Sequence, residues 1–144
     1  MASPLLNILI TKNILTDKEA IHVERDAKES GITLDEALKS RGVSSEDILS
    51  AKGEYLKIPT KTIDGSTIPF EILKYIPEES AAHYRFTPIG IADGALEVGI
   101  VDPDNIEARD ALNFISSKIN LPFKLYLISE DDFKGVLDTS KGLS

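Results

Sequence analysis

Histidine, carboxylate and glycine are the residue types in this sequence with the clearest capacity for chemistry, and their spacing limits what they can do. His22 sits mid-way along a stretch of helical spacing, beside Glu24 and Arg25, and His83 sits near the end of a short one. Neither has a second donor at metal-ligand spacing, so both read as structural, and two histidines so far apart leave a Ser-His-Asp relay little to build on. Asp102 and Asp104 flank Pro103, and Glu130, Asp131 and Asp132 are contiguous. Acids in such places are expected at helix N-termini, each stabilising by about 0.3–1 kcal/mol, ahead of an acid/base pair or a calcium site. No loop carries the calcium-binding pattern with its Gly and closing Glu. Cysteine is absent, which excludes disulfides, thiol nucleophiles and Cys-ligated metal or iron–sulfur sites. No Gly-x4-Gly-Lys-Ser/Thr loop occurs, and Gly90, Gly94 and Gly99 fall in a hairpin pattern rather than between a strand and a helix. Gly90 and Gly99 are read as thinning a sheet where a helix packs close. The expectation is a chain with no catalytic residue, no metal and no cofactor of its own.

Bulk properties agree with a binding module. The length of 144 residues fits about one domain's worth of core, and 42% hydrophobic with 28% charged residues is ordinary for a globular chain. A net charge of −8 with no basic stripe disfavours nucleic acid as a partner. No apolar run approaches the ~18 residues of a membrane span, and the first thirteen residues lack the features of a signal peptide. The expected setting is cytoplasmic, without direct membrane insertion.

The elements that hold these residues divide in two. Residues 1–59 carry helix punctuation: Pro4 before Leu5, Leu6, Leu9 and Ile10; a Thr16/Glu19 capping box opening a helix to about Glu29, stopped by Ser30-Gly31; Thr33 with Glu36 opening a short helix ended by Gly42; and Ser44 with Asp47 opening another that ends near Ile58-Pro59. A weak repeat runs through them, Leu5-x3-Leu9-x3-Asn13 against Leu34-x3-Leu38-x3-Gly42, each leading to a cap and a second helix. Residues 60–66 read as a polar connector with a turn at Asp64-Gly65. Residues 60–140 then predict a ββαβα sandwich, with helices on one side of a small sheet. Pro77 opens a helix over 78–84; strands at 86–92 and 96–101 face each other across Asp93-Gly94-Ala95; a helix spans 106–119, with Ile106, Leu112, Phe114 and Ile115 available for burial; a third strand covers 123–128; and Ser129 caps a last helix. Phe86, Phe114, Phe123 and Phe133 are expected to share one core. Residues 141–144 read as a tail or linker. The fold class is α+β, a helical subdomain followed by the sandwich.

The first helix is unusually rich in apolar residues, from Leu5 to Ile10 and on to Ile14 and Leu15. Core packing accounts for most of them. Because a terminal helix apolar nearly all round has more such surface than a small domain can cover, part of the stripe is also a candidate docking surface. Leu5 and Leu9 match the repeat's Leu34 and Leu38, which leaves Leu6 and Ile10 as the candidate partner-binding residues.

Several phrases, in this order, resemble the N-terminal domain of the type II secretion and type IV pilus assembly ATPases. They are Gly42-Val43-Ser44-Ser45-Glu46-Asp47-Ile48-Leu49, Tyr55-Leu56-Lys57-Ile58-Pro59, Leu73-Lys74-Tyr75-Ile76-Pro77-Glu78-Glu79, Phe86-Thr87-Pro88, Gly94-Ala95-Leu96-Glu97-Val98-Gly99, Val101-Asp102-Pro103-Asp104-Asn105 and Asp110-Ala111-Leu112-Asn113-Phe114, spanning about residues 5 to 138. The resemblance implies a domain that precedes a hexameric ATPase core, its own C-terminal partner, and docks onto a cytoplasmic domain of the inner-membrane platform. It places the protein in the cytoplasm, peripheral to the inner membrane through those partners. It also implies an alternative, since some members bind cyclic di-GMP through two tandem motifs that open Arg-Leu-Gly, with a Leu and then a Gly beyond. The matching positions are Leu5, Leu9 and Asn13 in one copy and Leu34, Leu38 and Gly42 in the other. Pro4 and Thr33 stand in place of both arginines, and Leu6 and Asp35 in place of both opening glycines. Thr and Pro cannot make the bidentate phosphate contacts of Arg, so cyclic di-GMP is not expected as a tight ligand.

Overall fold

The structure is a computed structural model that describes residues 3–143, with side chains to residue 139. It contains two compact units, Met1–Lys57 and Ile58–Ser144.

The first unit is four helices, α1 (Pro4–Thr11), α2 (Asp17–Ser30), α3 (Leu34–Ser40) and α4 (Ser45–Leu56). Each begins on a hydroxyl that accepts an orphan amide: Ser3 from Leu6 N at 3.2 Å, and Thr16, Thr33 and Ser44 each at 3.1 Å from Glu19, Glu36 and Asp47. At Thr16 the box closes, because the Glu19 carboxylate takes the Thr16 N–H at 3.0 Å. Hydrogen bonding of its carboxylate to the Thr16 amide first, and to the Thr16 hydroxyl second, holds the Glu19 carboxyl below its ordinary value. Gly31 ends α2 at φ +65. α1 packs on α4, and α2 on α3. The core is aliphatic throughout, with Leu6, Leu9, Val23, Leu38 and Ala51 fully buried.

The second unit opens with a segment that behaves differently from the expected connector. Lys61 N donates to Leu127 O at 3.0 Å, Leu127 N donates to Pro59 O at 2.8 Å, and Thr60 makes a parallel bridge to Leu127. Residues 59–61 thus cover part of the edge of strand β3 (Phe123–Leu127). Polar composition alone does not show this, because the pairing uses backbone groups. Ile63 N donates to the Asp132 carboxylate at 3.1 Å, and Gly65 is buried so tightly that a Cβ there would lie 2.8 Å from the Gly135 carbonyl oxygen. A 3-10 turn, Gly65–Thr67, and a single helical turn, α5 (Phe70–Leu73), lead to α6 (Glu78–Tyr84). The 3-10 turn starts where the sequence predicts a turn, at Asp64-Gly65, whereas α5 is not expected from the sequence.

The sheet has order β1-β2-β3, with β1 (Phe86–Ala92) antiparallel to β2 (Ala95–Ile100) and β2 parallel to β3. The hairpin turn is two residues, Asp93 at φ +52 and Gly94 at φ +76, one shorter than expected. A register shift between Pro88 and Gly90 bulges β1, and Pro88 removes a donor from this edge strand. Helix α7 (Ile106–Ile119) carries the chain from β2 to β3, and α8 (Glu130–Leu143) follows. Its backbone takes in residues 141–143, expected as tail, while Ser144 lies outside the described residues. Leu96, Val98 and Ile100 alternate along β2 to face Ala108 and Leu112 of α7 and Ala81 of α6, with Phe86 among them. Gly99 lies on the opposite face, where a Cβ would meet Ile128 Cγ2 at 2.8 Å and Ile89 Cδ1 at 3.0 Å. The crowding there comes from two isoleucine side chains rather than from an approaching helix. At Gly90 the space is open, the nearest atom to an added Cβ being a Glu97 carboxylate oxygen 3.6 Å away, so that glycine marks the bulge.

Candidate functional site

The stripe on α1 is mostly core. Leu5, Leu6 and Leu9 are 4%, 0% and 0% exposed. Leu6 is therefore not a docking position, contrary to the expectation from spacing. The reason is that both α4 and α2 pack on α1, so the buried arc is wide enough to take adjacent residues 5 and 6 together. Ile10 is half-buried and packs against the same core. The outward face of α1 is Pro4, Asn7 and Thr11, with no apolar patch.

The weak repeat is structurally real. Asn13 and Gly42 both adopt positive φ, +61 and +90. Asn13 N donates to Ile10 O and Gly42 N to Lys39 O, each at 3.0 Å; Ile14 N donates to Leu9 O at 3.0 Å and Val43 N to Leu38 O at 3.1 Å. Leu5, Leu9 and Leu38 are buried beneath these turns, and Leu34 is partly buried. The groups around the second turn are occupied internally. The Thr33 hydroxyl caps α3, and the Asp35 carboxylate pairs with Lys52 at 3.0 Å, both side chains being only 17% exposed. Pro4 offers nothing polar in its side chain. At the second turn the Arg41 guanidinium is engaged by the Asp26 carboxylate, through Nε at 3.1 Å and Nη2 at 2.9 Å, and the first turn carries no arginine.

Other chemistry-bearing residues serve the fold. The Asp132 carboxylate accepts the Ile63 amide, and Glu130 pairs with Arg85 at 3.2 Å. His22 contacts the Arg25 guanidinium, and the His83 ring meets Tyr84 edge-on at 4.7 Å. Among the described residues no three His, Asp or Glu side chains converge as metal ligands, and no helix is long and apolar enough to cross a membrane.

An exposed apolar surface with no part in the core lies in the second unit. Ile106 is 74% exposed and Phe114 67%, where the sequence suggested burial. The core stripe of α7 is instead Ala108, Leu112, Ile115 and Ile119, and Ile106 and Phe114 fall off it. Phe86, Phe123 and Phe133 do not form one core either, since Phe86 and Phe123 belong to the cluster under α7 and Phe133 packs separately with Val101 and Ile128. Between α6 and α7 runs a groove of about 880 Å³, lined by Tyr75, Pro77, Tyr84, Ala111, Phe114 and Ile115, with Lys74, Glu107, Asp110 and Lys118 at its polar margins. Two large apolar residues outside the i, i+4, i+7, i+11 stripe of α7 were the signal for it.

A family model of the MshEN domain matches residues 56–142. The type IV pilus assembly ATPase PilB of Myxococcus xanthus (strain DK1622) is 24% identical over 117 residues, 81% of this chain and 21% of PilB, so the chain spans about a fifth of that relative's length. Among solved structures, MshE with cdg has the same fold at a TM-score of 0.74 and 22% identity, covering 95% of this chain and 98% of that one. The N-terminal domain of XpsE matches at 0.62 and 23%, covering 94% and 92%. The chain belongs to the MshEN domain family, the N-terminal domain of secretion and pilus assembly ATPases.

Proposed function

We propose that the chain is a non-catalytic docking and regulatory domain of a secretion or pilus-assembly motor ATPase, binding a cytoplasmic domain of the inner-membrane platform and preceding the hexameric ATPase core. The observation that carries this reading is the family match over residues 56–142, extended by an alignment that occupies about a fifth of a pilus ATPase. The absence from the sequence of a phosphate-cradling loop and its Lys supports a chain without turnover. The cell compartment follows from the partners: cytoplasmic and peripheral to the inner membrane. The test is a pull-down of the purified chain against the platform's cytoplasmic domain, alongside a magnesium-supplemented ATP hydrolysis assay. Capture without hydrolysis is expected. Turnover that survives repurification, or no capture, overturns the reading.

A second reading, cyclic di-GMP binding, is favoured by one observation: the turns at Asn13 and Gly42 share backbone geometry and hydrogen bonding in a fold that MshE with cdg also has. Its ligand chemistry is weak here. Each charged hydrogen bond is worth ~1.5–3 kcal/mol, and Pro4, Thr33 and the Lys52-paired Asp35 supply none of the missing ones. Calorimetry is expected to show binding weaker than micromolar, and a micromolar or tighter dissociation constant would restore this reading.

A further inference from the structure

We infer that the groove between α6 and α7 seats an amphipathic helix of a protein partner, one whose apolar stripe is flanked by basic residues. The inference rests on the docking reading for the partner's identity and on the groove alone for its chemistry. Three observations select the occupant. First, one wall is α7 and the other is α6 with the turn before it, where the Lys74, Tyr75 and Ile76 amides donate to Phe70, Ile72 and Leu73 carbonyls, so an incoming strand finds no sheet edge to extend. A helix, which satisfies its own backbone, is the form that fits. The wall from Glu107 to Ile119 is about 18 Å long at 1.5 Å per residue, room for about three turns.

Second, the walls offer an anchor. Phe114 stands 67% exposed beside Ala111 and Ile115, with Tyr75 and Tyr84 across the groove. An exposed aromatic flanked by half-buried apolar side chains is the kind of surface that carries most of the energy of an interface once water is excluded. Third, the margins carry two acids, Glu107 and Asp110, and two lysines, Lys74 and Lys118. Glu107 and Asp110, one helical turn apart on α7, have no ion-pair partner among the described residues. The Lys118 ammonium lies 6.0 Å from the centre of the Phe114 ring, at the opposite end of α7. A partner helix is therefore oriented with its cations beside residues 107 and 110, and the surrounding charge of −8 draws a basic segment in.

The test is a titration of the isotope-labelled whole chain, followed by NMR, with a synthetic amphipathic peptide of about 14 residues, matching the groove's length. It carries Leu at i, i+4, i+7 and i+11 and Lys beside them. The control is the same peptide with Glu for Lys. Expected are shifts confined to residues 107–119 and to Tyr75 and Tyr84, at least about tenfold weaker binding of the Glu peptide, and a similar loss in Phe114→Ser and in Asp110→Lys. Both variants should melt with the wild type, because both positions are exposed. If Phe114→Ser unfolds, Asp110→Lys decides. Shifts elsewhere, none, or equal binding of the two peptides overturns the inference. So do concentration-dependent shifts at the same residues without peptide, which would make the occupant a second copy of the chain. A groove that takes the peptide while the platform pull-down fails would sink the partner's identity and leave the groove.

Discussion

The two units hold together by different means. The helical unit has no ring in its core: Leu, Val, Ile and Ala fill it, and the chain is pinned at short intervals by four hydroxyl caps and by positive-φ residues at Asn13, Gly31, Gly42 and Lys57. The sheet unit places Phe86 at its centre, buries Phe133 elsewhere and leans Tyr75, Tyr84 and Phe123 on its main cluster. Its stabilising contacts join residues far apart in sequence. Local punctuation thus organises the first unit, and aromatic contact area with strand pairing organises the second. Hydrogen exchange should report this difference directly, with lower protection before Pro59 than after Phe86. The reverse order would break the comparison.

The largest effects come from removing the central side chains. Phe86→Ala should cost about 3–5 kcal/mol and Leu38→Ala about 2–5 kcal/mol, both residues being fully buried. Exchange measured on each variant should lose protection mainly in the unit that carries the change, and equal loss in both units would mean that they do not hold separate cores. Leu6→Glu belongs with these, since an unpaired charge at a 0%-exposed position costs several kcal/mol. Ile10→Glu, half-buried, should melt measurably closer to wild type. Equal melting of the two α1 variants would contradict the burial that separates them.

Glycine substitutions give a middle-sized contrast. Gly99→Ala drives a Cβ into Ile128 and Ile89, an overpacking expected to cost about 1–3 kcal/mol. Gly42→Ala meets no atom but must hold φ +90, a strain of about 1–2 kcal/mol. Asn13→Gly, at the equivalent turn, should be close to neutral by thermal melting. A strongly destabilised Asn13→Gly would show that the two turns are not equivalent.

The smallest effect depends on pH. Glu19 has its carboxyl depressed in the folded state by the Thr16 amide and hydroxyl. Its contribution is therefore present above the unfolded carboxylate value and lost as pH falls through the folded one. Wild type should protect the first-turn amides of α2 better than Glu19→Ala at neutral pH, with the difference fading as pH falls below the ordinary Glu value of about 4.3. A difference that does not shrink in acid would remove the charge from the explanation.

How far the sequence revealed these features depends on how local their causes are. Caps at Thr16, Thr33 and Ser44, the stop at Gly31 and the Asp93-Gly94 turn each involve residues within a few positions, and their types announce them. The repeat was legible as a pattern of leucines that ends on Asn13 in one copy and Gly42 in the other, the two residue types that most readily take positive φ. Long-range facts were not legible. Nothing local tells that residues 59–61 line the edge of β3 or that Leu6 lies under two helices. The exposure of Phe114 was misjudged for a related reason, since aromatic residues are counted as core until the stripe of their helix is assigned to a face.

The bond from the Ile63 amide to the Asp132 carboxylate spans 69 positions in the chain, and with the parallel pairing of β2 and β3 it gives the sheet unit a high mean sequence separation of contacts. Loops of that length close late. The helical unit, compact within residues 1–57, can form as soon as its fourth helix exists. A ribosome producing this chain releases one unit ready to fold while the start of the other waits for its end, so the edge of β2 that β3 covers stays open until α7 and β3 have been made. During synthesis, that edge is where association with another nascent chain would begin.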